Sequence, residues 1–315
     1  MMILPFFVSL SISAAAASLT GWDWRETTTP HFRVLHQAAW LPSGLTMGVE
    51  RIHFRLRMDL GAFSPWMARE RISLHIYSNR QSYVGGQFHP PAWSNGVAVY
   101  EKKAVVIPAM KEPSQMLRVI AHETTHLLFV SYFRERHRDP PSWVNEGIAM
   151  VGEVESRDKP ETSPWYQNMV EMKPSAWFPM ERFFEISPTK DLQDDQKDVS
   201  RWYVQAYGVT HFLVRKHSNL QFKGFCSHLR DGKSVSEALW LVYRYRDVRD
   251  FEKKWRAWLE DPVHKRRVMA LASSQRAVGD GVVEKAGRAH PSFGSFSTGR
   301  EFKSEVPPAT PIPAD

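Results

Sequence analysis

The sequence predicts an α+β protein: a small mixed β-sheet with a buried helix against it, followed by a mostly helical half. Three observations carry that expectation. Short segments before residue 110 alternate apolar and polar side chains with the period of a strand. Residues 114–134 contain no Gly or Pro and are apolar on nearly every face, and from about residue 160 the apolar positions recur at helical spacing.

Residues 30–36 alternate, with Phe32, Val34 and His36 on one face. Leu45, Val49, Ile52, Leu56 and Leu60 then mark one side of a helix that Gly61 ends. Strand periodicity returns at 71–77 and 96–100, and 104–107 is a short apolar run. The buried helix opens after Pro113, with Ser114 as its cap, and its all-round apolar character makes it a core element. Pro140 and Pro141 break the chain, after which 142–150 begins a second helix with Ser142 at its cap. Further helices are expected at 200–217, 219–230, 235–246 and 248–260. On the last of them Phe251, Trp255 and Trp258 form an apolar stripe, the mark of core packing. Beyond about residue 272 periodicity fades and the Pro-rich residues 306–313 cannot build a core, which predicts a disordered tail over 272–315. The expected organisation is an α/β subdomain over 24–134 and a helical subdomain over 135–268.

The chain has 315 residues, 43% hydrophobic and 24% charged, enough for a sizeable core. Its first charged residue is Asp23, and the apolar residues 3–13 lead into Ala14, Ala15, Ala16 and Ala17. A stretch too short to span a bilayer and followed by small residues predicts a signal peptide over 1–17, with export to the periplasm or the medium. The pattern departs from the usual one in having no Lys or Arg ahead of the apolar residues. After cleavage no membrane span is expected. The single cysteine, Cys226, excludes a disulfide framework and a Cys-rich metal site, so metal chemistry falls to His and carboxylates. The net charge is +7, but the basic residues are scattered among acids, which reads as a solvated surface and not as a nucleic-acid-binding face.

His122-Glu123-Thr124-Thr125-His126 is an H-E-x-x-H motif in the middle of the buried helix. A spacing of four puts both imidazoles on one helical face, a turn apart, which suits two nitrogen ligands of one tetrahedral zinc, with Glu123 able to reach a water on the metal. The plain alternative is a pair of core histidines bonded to backbone carbonyls. Burying two His and a Glu in an apolar helix is costly unless the polar groups have partners, and a metal with its water supplies them. The other histidines show no ligand-like pairing.

With the segment Trp143-Val144-Asn145-Glu146-Gly147-Ile148-Ala149 added, the sequence resembles the gluzincin zinc metallopeptidases, the peptidase MA-like domains that include the thermolysin-like and aminopeptidase-N-like groups. These follow H-E-x-x-H with a Glu ligand in a W-x-N-E-G-x-A segment on a second helix. Here 19 residues separate His126 from Glu146, within that habit. The resemblance implies a zincin-like fold over roughly residues 30–265, one zinc ion per chain and Glu146 as its third ligand. It also implies Glu153 as a support for a ligand His, and Tyr207, 61 positions beyond Glu146, as donor to the oxyanion, with Tyr203 and His211 behind it. Two features depart from the pattern. Met150 stands where the thermolysin-like branch has an acid, and no G-x-M-E-N segment is present to hold a substrate amine, although residues 96–101 occupy a comparable place as an edge strand.

The activity these features imply is hydrolysis of peptide bonds in peptide or protein substrates through a zinc-bound water, with Glu123 as general base. Two alternatives remain at this stage: a catalytically idle zinc-binding domain that recognises peptides or envelope polymers, and a zinc hydrolase of a non-peptide amide.

Overall fold

A computed structural model describes residues 24–37, 41–153, 158–192 and 195–279. The expected signal peptide lies outside the described residues. Five strands form one mixed sheet in the order β1-β2-β3-β5-β4: β1 (Arg25–Thr28), β2 (Phe32–His36), β3 (Ile72–Tyr77), β4 (Val97–Val99) and β5 (Ala104–Pro108). β2, β3 and β5 run parallel, with Phe32 opposite Ile72 and Leu74 opposite Val105, whereas β1 and β4 are antiparallel to their neighbours. The alternation read from the sequence has its physical basis here: Phe32, Val34 and His36 are buried on one face of β2. β1 was not expected, because Arg-Glu-Thr-Thr carries no apolar alternation; it is held as a polar edge strand by its pairing with β2.

The helices are α1 (Leu45–Leu60), α2 (Arg80–Val84), α3 (Pro113–Arg134), α4 (Ser142–Gly152), α5 (Pro164–Glu171), α6 (Met180–Glu185), α7 (Pro188–Asp191), α8 (Gln196–His211), α9 (Asn219–Arg230), α10 (Val235–Tyr243), α11 (Val248–Leu259) and α12 (Pro262–Gly279). A π-helical turn, Phe212–Lys216, continues α8. Two expected caps differ. Pro113 is itself the first residue of α3, with Glu112 at the cap, and α4 begins at Ser142 with Pro141 at the cap. Proline's fixed φ and missing N–H suit the start of a helix, so Pro113 enters the first turn of α3 with Glu112 at the cap, and Pro141 itself takes the cap position assigned from sequence to Ser142.

α3 packs on the sheet through β5 and β4, with α1 and α4 beside it, and α8 lies across α4. One apolar core runs continuously through both halves, from Phe32 and Leu74 in the sheet through Phe129 in α3 to Trp202, Phe251 and Trp255 in the helical part. Gly147 makes the α4–α8 approach feasible: a Cβ there would sit 2.1 Å from Thr210 Oγ1 and 2.4 Å from the Ala206 carbonyl oxygen.

α12 corrects the expected start of the tail, because the helix continues to Gly279, past residue 272. Asp261 accepts a hydrogen bond from the Val263 amide at 2.9 Å to start it, and His264 and Val268 pack inward. Residues 269–275, which include Ala, Ser and Gln, extend it through helix propensity with little burial, so apolar periodicity cannot reveal it. Residues 280–315 lie outside the described residues.

Candidate metal centre

α3 presents His122 and His126 one turn apart, and both are buried. Their Nε2 atoms face each other at 3.0 Å. α4 brings Glu146 against them, with one carboxylate oxygen 3.7 Å from His122 Nε2 and the other 3.7 Å from His126 Nε2. The outward nitrogens have fixed partners. His122 Nδ1 lies 2.8 Å from Glu153, whose second oxygen accepts a hydrogen bond from the Trp165 indole at 3.1 Å. His126 Nδ1 lies 3.0 Å from the Asn145 side-chain oxygen. Both Nδ1 atoms are therefore donors, which leaves the two Nε2 lone pairs aimed at one point beside Glu146.

Such an arrangement is unfavourable by itself. With both rings neutral, two lone pairs would oppose each other at 3.0 Å unless a cation or a proton stood between them, and Glu146 Oε2 is buried with no hydrogen-bond partner. Burial disfavours a charge on His122, but Glu146 and Glu153 outweigh it and hold the imidazole well above its ordinary pKa. His126 goes the other way, lowered to about 4 by burial, with Glu146 opposing the shift and His122 adding to it. The pocket is built for positive charge at the Nε2 atoms. A tetrahedral ion with bonds of about 2.0–2.1 Å sets its ligands roughly 3.3 Å apart, close to the 3.0 and 3.7 Å found. This buried His-His-Glu group could hold a metal ion, its three donor atoms lying within 4.8 Å of one another.

Glu123 stands beside this group and is buried. Burial pushes its pKa up to about 7, with His122 opposing and Glu146 and Glu153 reinforcing the shift. Gly96, just before β4, makes room for it: a Cβ there would lie 2.8 Å from Glu123 Cγ.

Tyr207 has its hydroxyl engaged. Its hydroxyl pairs with His211 Nδ1 at 3.3 Å and with Ser163, so its hydroxyl is committed to other partners, and His211 belongs with it. Tyr203, one turn earlier on α8, has a buried hydroxyl with no hydrogen-bond partner, and its pKa is raised well above the ordinary value by burial and then by the Glu146 carboxylate. Tyr100, after β4, is likewise raised by burial and by Glu123 and Glu146, and its ring carries the Arg134 guanidinium 4.2 Å from its centre. The structure thus gathers His122, Glu123, His126, Glu146 and Glu153; of the two tyrosines named from sequence, Tyr203 keeps an unpartnered hydroxyl and Tyr207 is bonded to His211, and Tyr100 joins them under the influence of Glu123 and Glu146. Asn145 was also missed as a partner of His126, although it sits in the quoted W-x-N-E-G segment. Trp165 and Tyr100 had no sequence signal, since nothing local ties them to the motif.

No curated protein matches the chain. The profile of a family described as the Peptidase MA superfamily matches residues 54–261, more than half of the chain, including the His-His-Glu group and its outer partners. The chain belongs to the peptidase MA superfamily, whose members are peptidase-type enzymes.

Proposed function

We propose that this protein is a zinc-dependent peptidase of the gluzincin type, acting on peptide or protein substrates outside the cytoplasm. His122, His126 and Glu146 hold the metal and Glu123 is the general base. One observation carries the reading: two buried Nε2 atoms converge with an unpartnered Glu146 oxygen while both Nδ1 atoms are spent outward. Two nitrogens and one carboxylate suit zinc better than magnesium or calcium, which prefer oxygen alone. When bound, zinc supplies Lewis-acid polarisation of water and of the scissile carbonyl.

The chain's own residues perform the proton movements. Glu123, a base with its pKa near 7, takes a proton from the attacking water as the new C–O bond forms. It returns that proton to the amine as the C–N bond breaks. Tyr203 stays protonated and offers its unpartnered hydroxyl to the developing oxyanion, a role read from sequence for Tyr207. Glu153 and Asn145 hold the imidazoles in the tautomer that leaves both Nε2 atoms free to bind metal. Export rests on the apolar amino-terminal residues and the alanines that follow.

The test is digestion of a proteome-derived peptide library by the wild type, with and without chelator, and by Glu123→Gln. The amide preserves size but cannot accept the proton, so zinc stays bound and cleavage falls by about 10² to 10⁴. A zinc-replete Glu123→Gln protein that cleaves at the wild-type rate removes Glu123 from the mechanism. A zinc-loaded wild type that cleaves nothing favours a recognition domain.

A further inference from the structure

The outer face of α1 is not that of an ordinary solvated helix. Its inner side, with Val49, Ile52 and Leu56, is buried against α3. On the opposite side Met47, Phe54 and Met58 stand 59%, 69% and 57% exposed, at positions that fall on one ridge of the helix. Leu220, 78% exposed, continues the ridge: it follows Asn219, whose side chain donates to the Met58 carbonyl at 3.2 Å. Single exposed apolar residues are ordinary. Here four of the seven large exposed ones among the described residues meet along one ridge, which is the feature that calls for a partner.

Charge along the ridge has one sign. Arg51 and Arg57 alternate with the apolar residues on the same exposed side, and neither pairs with a carboxylate; the Arg51 guanidinium rests on Met47 Sδ at 3.2 Å. Lys216 is exposed just before α9. The two acids of α1 are withdrawn: Glu50 is held by Thr29 and His31, and Asp59 by both guanidinium nitrogens of Arg215.

We propose that the outer face of α1, with Leu220, is a docking surface for an anionic lipid bilayer, laying Met47, Phe54, Met58 and Leu220 among the acyl chains while Arg51, Arg57 and Lys216 meet the headgroups. Flexible apolar side chains interleaved with cations are what an interfacial helix presents to such a surface. The ridge is convex and one helix wide. A rigid protein partner needs about 800 Å² of matching surface on each side, whereas a fluid interface closes around separate protruding side chains. The protein rests on the membrane through this face, and no described helix is long and apolar enough to cross one.

The experiment is co-sedimentation of the full chain with vesicles of phosphatidylcholine, alone or with about one-quarter phosphatidylglycerol. It compares the wild type with Phe54→Ser/Met58→Ser and with Arg51→Glu/Arg57→Glu. All four positions are on the exposed side, so the variants keep the circular dichroism of the wild type. The wild type should partition at least about tenfold more strongly onto the anionic vesicles, each pair of substitutions should cost about tenfold, and the Arg pair should erase the preference for anionic lipid. Equal binding by wild type and both variants overturns the proposal. So does a dimer of the wild type in vesicle-free solution that Phe54→Ser/Met58→Ser abolishes, since the occupant is then a second copy of the chain. Because the readout is vesicle binding and not proteolysis, it stands or falls apart from the peptidase reading.

Discussion

Between α3 and α4, and again between α5, α8 and α12, the protein buries groups of histidines against aromatic walls, but their nitrogen atoms are spent differently. In the first group both Nδ1 atoms face oxygen acceptors on α4 and at its end, and both Nε2 atoms converge beside an unpartnered carboxylate. In the second, His264 uses both nitrogens on neutral partners, the Tyr166 hydroxyl at 2.5 Å and the Trp258 carbonyl at 3.0 Å. His211 meets the Tyr207 hydroxyl at 3.3 Å, and burial, helped by Arg215 and by His264, lowers its pKa to about 3. No carboxylate hydrogen-bonds either ring among the described residues. Burial alone makes a neutral, inert imidazole; carboxylates placed around it make a receptor for positive charge. Histidine content or spacing says little until the partner of the other nitrogen is known.

The largest effect that could break this contrast is on metal affinity. Glu146→Ala should weaken zinc binding by more than about 10³-fold, beyond the 10–100-fold typical of losing an outer partner, while Glu146→Asp weakens it partly. His264→Gln should leave it unchanged. Metal content after dialysis against graded chelator checks both, and undiminished zinc in the Ala variant would move the third ligand elsewhere.

The two tyrosines of α8 sharpen the contrast further, since the Tyr203 hydroxyl is unpartnered and the Tyr207 hydroxyl is bonded to His211. Tyr203→Phe should lower kcat by about 10²–10³ with zinc retained, the range seen on removing one oxyanion donor. Tyr207→Phe should cost stability but little activity. Equal losses of kcat would return the donor role to an unresolved pair.

Glu153→Gln probes the outer partner. The amide keeps a hydrogen-bonding oxygen but removes the charge that supports His122, so zinc affinity should fall by about 10–100-fold, with the far-ultraviolet circular dichroism unchanged. Titration with a competing chelator reads this directly.

The smallest effect concerns pH. With its folded pKa near 3, below the ordinary 6.5, His211 refuses a proton that the unfolded chain accepts. Its contribution is present above about pH 6.5 and is lost as pH falls towards 3. Between pH 7 and pH 5 the loss is about 2 kcal/mol. In His211→Gln the difference in urea-unfolding free energy between those two pH values should shrink by that amount; an unchanged difference would show that His211 takes up its proton in the folded state.

Much of this was legible from residues alone. The strands around Phe32 and Leu74 and the helices bearing Val49 and Trp255 announce themselves because one face of each is buried, which imposes a period on the sequence, whereas the strand at Val105 and the helix at Ile120 are buried all round and show as continuous apolar runs. The His122–His126 spacing is legible for the same reason, since both rings must leave one helix on one side. β1, α2, the bounds of the short helices α5, α6 and α7 and the end of α12 were not legible, because they are too short or too exposed for burial to write a period into them.

By itself, then, the sequence determined the local geometry: which residues are helical, that His122, Glu123 and His126 share a helix, and that Gly147 follows Glu146. Only the tertiary structure decided what those side chains meet. Glu153 reaches His122 because α4 ends beside α3, and Trp165 braces it from α5. Tyr203 and not Tyr207 keeps an unpartnered hydroxyl, because Tyr207, one turn further along α8, finds His211 and Ser163. A residue count along the chain gives distance in sequence, whereas the rotation of a helix about its own axis is set by packing against its neighbours, here by the close seat of Gly147 on Ala206 and Thr210.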